Sequence, residues 1–171
     1  WIKVSQVPPT FNISTTYHLR SLNMRILSLL ATAIVAATAC CSTNQKQITV
    51  VPYPNSVEIT KGLFRAKGAD ICYSEDLDAR SEAVICKFAE QLSLVSGTES
   101  KVSKGPAAKG FTFTLDTQLP AEAYSIEINK GEVLIKASGL NGFNYAIQTI
   151  KQMLPVEIFT NETAADKDWT L

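Results

Sequence analysis

The chain has a single histidine, His18, among 171 residues, and its 16 basic residues are balanced by 16 acidic ones. With no imidazole beyond residue 18, neither a His-containing zinc site nor a Ser-His or Cys-His nucleophilic pair can be built in the bulk of the chain. With no net charge, the electrostatic footprint that holds DNA or RNA through clustered Lys and Arg is missing, and no nucleic acid partner is expected. The one basic group, Lys101, Lys104 and Lys109, is diluted by Gly105-Pro106 and reads as a solvated loop. No GxGxxG follows a strand; Gly139 and Gly142 open a helix without a third glycine, which excludes a dinucleotide fold. No repeat or low-complexity tract is present. The longest apolar run, Ile26 to Ala39, has about 14 residues where a spanning helix needs about 20. What remains is a globular composition, 46% hydrophobic and 19% charged, with enough length for one domain of ordinary size. No metal and no cofactor are expected.

The apolar run follows Met24-Arg25, with Arg20 upstream, and ends in the small residues Ala37-Thr38-Ala39 before Cys40. A basic start, a short apolar centre and a small-residue cleavage site form the export pattern, so 24–39 is read as a signal peptide. The cysteine at its end resembles the lipobox of bacterial lipoproteins, in which this residue becomes the new N-terminus and carries acyl chains. That resemblance implies lipidation at Cys40 and an exported, membrane-anchored lipoprotein, periplasmic or on the cell surface. Ala37 stands where Leu is commoner and Cys41 follows directly, which leaves Cys41 or ordinary cleavage as the alternatives. Residues 40–47 are then the lipidated cysteine and a polar tether, too poor in apolar side chains to offset their ordering entropy. Residues 1–23 contain Pro8-Pro9 and no sustained period. They read as an upstream segment, non-native or disordered, set apart from the fold.

Beyond the tether, Val57–Thr60, Leu63–Ala66 and Ala69–Tyr73 have the composition of short strands. From Asp78 to Ser96, Ser81, Val84, Ile85, Phe88, Leu92 and Val95 fall at helical spacing, with Asp78 as N-cap and Gly97 as C-terminal stop. Ser100–Lys109 reads as a loop, and Phe111, Phe113 and Leu115 alternate as a strand. Tyr124, Ile126 and Ile128, then Val133, Ile135 and Ala137, form a hairpin around Lys130-Gly131. The period then changes: Leu140, Phe143, Ile147, Ile150 and Leu154 make a helical stripe, widened by Ala146 and Met153 and stopped by Pro155. Strands, a helix, strands and a helix in this order predict an α+β domain, with two long helices on one face of a mostly antiparallel or mixed sheet.

The same segment carries a family resemblance. Tyr124, Ala137, Gly142, Phe143, Tyr145, Gln148, Thr149, Ile150, Gln152, Met153 and Leu154, together with Val51-Pro52-Tyr53-Pro54 upstream, resemble the small N-terminal, non-catalytic domain of family 20 glycoside hydrolases, the β-N-acetylhexosaminidases. One position usually Gly in that pattern is Ala146, a change that costs nothing in a helix interior. The resemblance runs from Ile48 to Leu171. It implies a domain over 48–155, a connection over 156–171, and a catalytic TIM barrel beyond it that would meet the glycan substrate. In that family the substrate's own acetamido group attacks, assisted by a paired Asp-Glu of the barrel. No catalytic residue is assigned within this chain.

Glu75, Asp76, Asp78, Glu82, Glu90, Glu122, Glu127 and Glu132 fall on turns, a polar helix face or outward strand positions, and read as solvated surface charge. Cys72 and Cys86 are read as free thiols, because helical spacing puts Cys86 with Glu82 and Glu90, away from the stripe that a sheet residue would face. Alternatives to the hexosaminidase reading are the leading domain of another glycosidase, O-GlcNAcase-like or α-glucuronidase-like, and a free-standing lipoprotein binding a glycan or a partner.

Overall fold

In the computed structural model, which describes residues 2–5, 48–59, 62–105 and 109–171, two helices cover one face of a mixed sheet. Strands β1 (Ile2–Ser5), β2 (Val57–Ile59), β3 (Ile71–Tyr73), β4 (Val102–Lys104), β5 (Gly110–Leu115), β6 (Tyr124–Ile128) and β7 (Glu132–Ala137) lie in the order β2-β1-β6-β7-β5-β3-β4. The β2, β1, β6 and β7 pairings are antiparallel; those of β7, β5, β3 and β4 are parallel. All described residues belong to one unit. The proposed signal peptide, Cys40 and the tether lie outside the described residues.

Both helices form where the apolar periodicity puts them. Helix α1 (Ala79–Ser96) starts at Asp78, whose carboxylate accepts from the backbone N–H groups of Arg80 and Ser81 at 2.8 and 2.9 Å. Those bonds, the Ser81 one foremost, hold the Asp78 carboxyl below its ordinary pKa. The helix ends at Gly97, whose φ of 68° is the left-handed conformation a C-terminal stop requires. Helix α2 (Leu140–Met153) buries Phe143, Ala146, Ile147 and Ile150 and exposes Gln148. Lys151 is half-buried, and burial lowers its ammonium pKa.

The layers meet through aromatic rings. Phe113 of β5 stacks edge-on against Phe88 of α1 at 6.4 Å and Phe143 of α2 at 6.1 Å, which places both helices on the same face of the sheet. Phe111 meets Phe88 and Phe64 at 5.5 and 5.1 Å. Such edge-on pairs add about 0.5–1.5 kcal/mol each beyond area burial.

Four expectations are corrected. Residues 1–23 do not all stand apart, because Ile2–Ser5 pairs between β2 and β6; four residues are too few for a period to stand out in sequence. Leu63–Ala66 is no member of the sheet. Its backbone pairs with the chain end, Phe64 N–H donating to the Leu171 carbonyl at 2.9 Å and Ala66 N–H to that of Trp169 at 2.8 Å. The stretch Ser100–Lys109 contains β4, an edge strand whose three residues are all exposed and so carry no alternation. Residues 156–171 pack onto the domain rather than leading away: a 3-10 turn, Val156–Phe159, buries Ile158, and Trp169 and Leu171 are buried behind it. No boundary falls at Pro155.

Candidate functional site

No helix among the described residues is long and apolar enough to cross a membrane. Among the described residues no group of three or more His, Cys, Asp or Glu could hold a metal ion. The carboxylates singled out in sequence are dispersed. Asp78 is a helix cap, Glu82 pairs with Lys104 at 2.6 Å, Glu122 accepts from the Asn141 amide at 3.0 Å, and Glu132 accepts from the Thr112 hydroxyl at 3.2 Å. Glu75, Asp76 and Glu90 are exposed, and Glu127 is half-buried on β6. The Glu82–Lys104 pair sits beside Tyr73, with the ammonium 5.7 Å from the ring centre. Burial first, and then the Glu82 charge, raise the Tyr73 phenol above its ordinary pKa. These contacts brace the start of α1 against β3 and β4.

Cys72 and Cys86 are both free, as expected, but for a different reason. Ile71 and Tyr73 pair with Phe111 and Phe113 on the helix-covered side, so Cys72 between them faces the other side of the sheet. Its sulfur lies 3.1 Å from the Ser103 hydroxyl. A whole sheet therefore separates it from α1.

The residues that carry the motif from Tyr124 to Leu154 do converge, and what they build is a joint. The Tyr124 hydroxyl and the Thr149 hydroxyl lie 2.7 Å apart in the core, joining β6 to α2. A buried bond of this kind contributes about 0.5–1.5 kcal/mol, and either partner left alone would be an unpaired buried polar group. Gly142 lets the first turn of α2 lie against the loop before β6; a Cβ there would stand 2.6 Å from the Ala123 carbonyl oxygen and 3.0 Å from Ala137 Cβ. The Gln152 amide grips the backbone of Val51, accepting from its N–H at 2.8 Å and donating to its carbonyl at 3.1 Å. This ties the Val51–Pro54 lead-in to the end of α2. Periodicity marked neither Thr149 nor Gln152, since both roles depend on partners far along the chain.

Two motif residues, Gln148 and Tyr145, are exposed on α2. Tyr145 projects from α2 with 48% of its surface exposed. Around the junction of α2 and the 3-10 turn stand further exposed apolar side chains, Val51, Val156, Phe159 and, on α1, Leu94. Gln91 of α1 holds this junction by donating to the Ile158 and Thr160 carbonyls, and the Thr163 hydroxyl donates to the Leu94 carbonyl at 2.9 Å. Exposed apolar residues standing singly are ordinary on a protein surface.

A mixed sheet covered on one face by two helices, with a motif that locks hairpin to helix, defines a small α+β domain. The chain belongs to the glycosyl hydrolase family 20, domain 2, family, whose model matches residues 47–167. Solved structures agree in fold. The β-N-acetylhexosaminidase of family 20 from Streptomyces coelicolor A3(2) superposes with a TM-score of 0.62 at 22% identity, over 71% of this chain and 24% of that one. The N-acetyl-β-hexosaminidase of Streptomyces plicatus, in complex with Thio-NAglucal, gives 0.63 at 22% identity over the same shares. The β-N-acetylhexosaminidase of Bacteroides fragilis gives 0.50 at 24% identity, over 63% of this chain and 21% of that one. This chain therefore spans about a quarter of the proteins it resembles. No curated relative matches it.

Proposed function

We propose that this chain is the N-terminal, non-catalytic part of a lipid-anchored β-N-acetylhexosaminidase, an enzyme that removes terminal N-acetylhexosamine residues from glycans. Its own task is to pack against the catalytic barrel and stabilise it. The observation that carries this reading is the family match over 47–167, joined to the exposed Tyr145 within the family motif. An aromatic side chain half in water on an otherwise well-packed helix is suited to contact with a neighbouring domain.

The reading is tested with an aryl N-acetylglucosaminide. A protein extended through the downstream barrel should hydrolyse it, and the present chain should show no turnover above the buffer blank. Turnover by the present chain, abolished by changing one of its own carboxylates, would overturn the assignment.

Membrane attachment is tested separately. Cys40→Ala should move the protein from the membrane fraction to the soluble one, while Cys41→Ala should not. Retention of labelled acyl chains after Cys40→Ala would refute lipidation at that residue.

A further inference from the structure

A helix leaves its last carbonyls without partners of its own, and at the end of α1 two of them are taken by a segment distant in sequence. The Leu94 carbonyl accepts from the Thr163 hydroxyl at 2.9 Å, and the Val95 carbonyl accepts from the Ala164 N–H at 2.7 Å. One turn earlier, the Gln91 amide donates to the Ile158 and Thr160 carbonyls. The Lys67 ammonium donates to the Ala165 carbonyl at 2.7 Å. The approach is close: a Cβ on Gly97 would stand 3.0 Å from Thr163 Cγ2 and 3.1 Å from Ala165 Cβ.

Residues 156–171 have a second foothold, on 64–66. Phe64 and Ala66 donate their N–H groups to the Leu171 and Trp169 carbonyls, and the Leu171 N–H donates back to the Phe64 carbonyl at 2.8 Å. Between the two footholds the segment is braced on itself. The Trp169 indole N–H and the Lys167 backbone N–H both donate to the Ala164 carbonyl, at 3.0 and 3.2 Å, and the Lys167 ammonium pairs with Glu157 at 3.0 Å. A segment tied to itself in this way moves as one piece, so loosening one foothold loosens the other. The ring contacts of Phe113 with Phe88 and Phe143 include no residue of this segment, so the packing of helices on sheet can outlast its release.

We propose that 156–171 is a clasp that opens and closes as one unit and couples the last turn of α1 to 64–66. This is independent of the function proposed above, since it rests on bonds within the domain alone. Coupling between two sites is reciprocal, so a change at either foothold is felt at the other. Opening takes Ile158, Trp169 and Leu171, all buried when the clasp is closed, out of the core while β5, β6 and β7 stay paired.

The test is amide hydrogen exchange on the full chain, resolved residue by residue. Gln91→Ala removes bonds only at the first foothold, yet it should speed exchange of the Phe64, Ala66 and Leu171 amides at the second about tenfold, while the amides of β5 and β7 keep their protection. Thr163→Val keeps the shape of the side chain, removes the one hydroxyl on the Leu94 carbonyl, and should shift the same three amides about threefold. Unchanged exchange at Phe64, Ala66 and Leu171 in both variants would make the footholds independent and overturn the proposal. So would an equal acceleration in β5 and β7, because the segment would then open only with the whole domain.

Discussion

Phe113→Ala is expected to lower the stability of the domain by about 3–5 kcal/mol, a large part of the roughly 5–15 kcal/mol available to a domain of this kind. The ring is fully buried and touches Phe88 on one helix and Phe143 on the other. Truncation therefore opens a cavity where three elements meet, and no single one of them can move to fill it without leaving the other two. Urea denaturation followed by circular dichroism should show the midpoint falling with little change in slope. A loss below about 1 kcal/mol would mean that the helices are not seated on this ring.

Gly110→Ala should be comparably severe although only one methyl group is added. The residue opens β5 with φ at 99°, a conformation L side chains rarely adopt, and a Cβ there would stand 2.1 Å from the Asp70 carbonyl oxygen. That carbonyl is fixed because it accepts the Phe111 N–H at 2.8 Å, and Gly110 itself donates to the Gly131 carbonyl at 3.0 Å. Strain at the dihedral and overpacking, about 1–3 kcal/mol each, together predict a loss of roughly 2–6 kcal/mol. Gly131→Ala is the control, since nothing lies within 4 Å of its added Cβ. Equal denaturation midpoints for the two variants would show that β5 does not start against β3 as described.

The two helices and the hairpin were legible because each has an amphipathic period long enough to stand out. Phe143, Ile147 and Ile150 were expected in the core and are buried there, and Asp78 and Gly97 were expected to bound α1 and do so. The motif from Tyr124 to Leu154 likewise pointed to the family that the chain belongs to. What escaped was short or exposed. Strand β4 has no buried residue to reveal it, and β1 has only four residues. The packing of 156–171 onto the domain is not legible in sequence because Ile158, Trp169 and Leu171 are isolated apolar residues without a period.

The sequence by itself determined the α+β class, the register of both helices and the pairing of β6 with β7. All of these rest on contacts between residues near in sequence, whose hydrophobic spacing records which face is buried. Only the tertiary structure decided that the sheet is mixed, that Cys72 faces away from α1, that Thr149 bonds Tyr124 across the core, and that Ile2–Ser5 lies between β2 and β6. Strand order, the sheet face a short strand presents and the pairing of distant segments depend on which surfaces meet after collapse. A backbone N–H or C=O has the same chemistry whichever strand it pairs with, so local sequence carries little record of that choice.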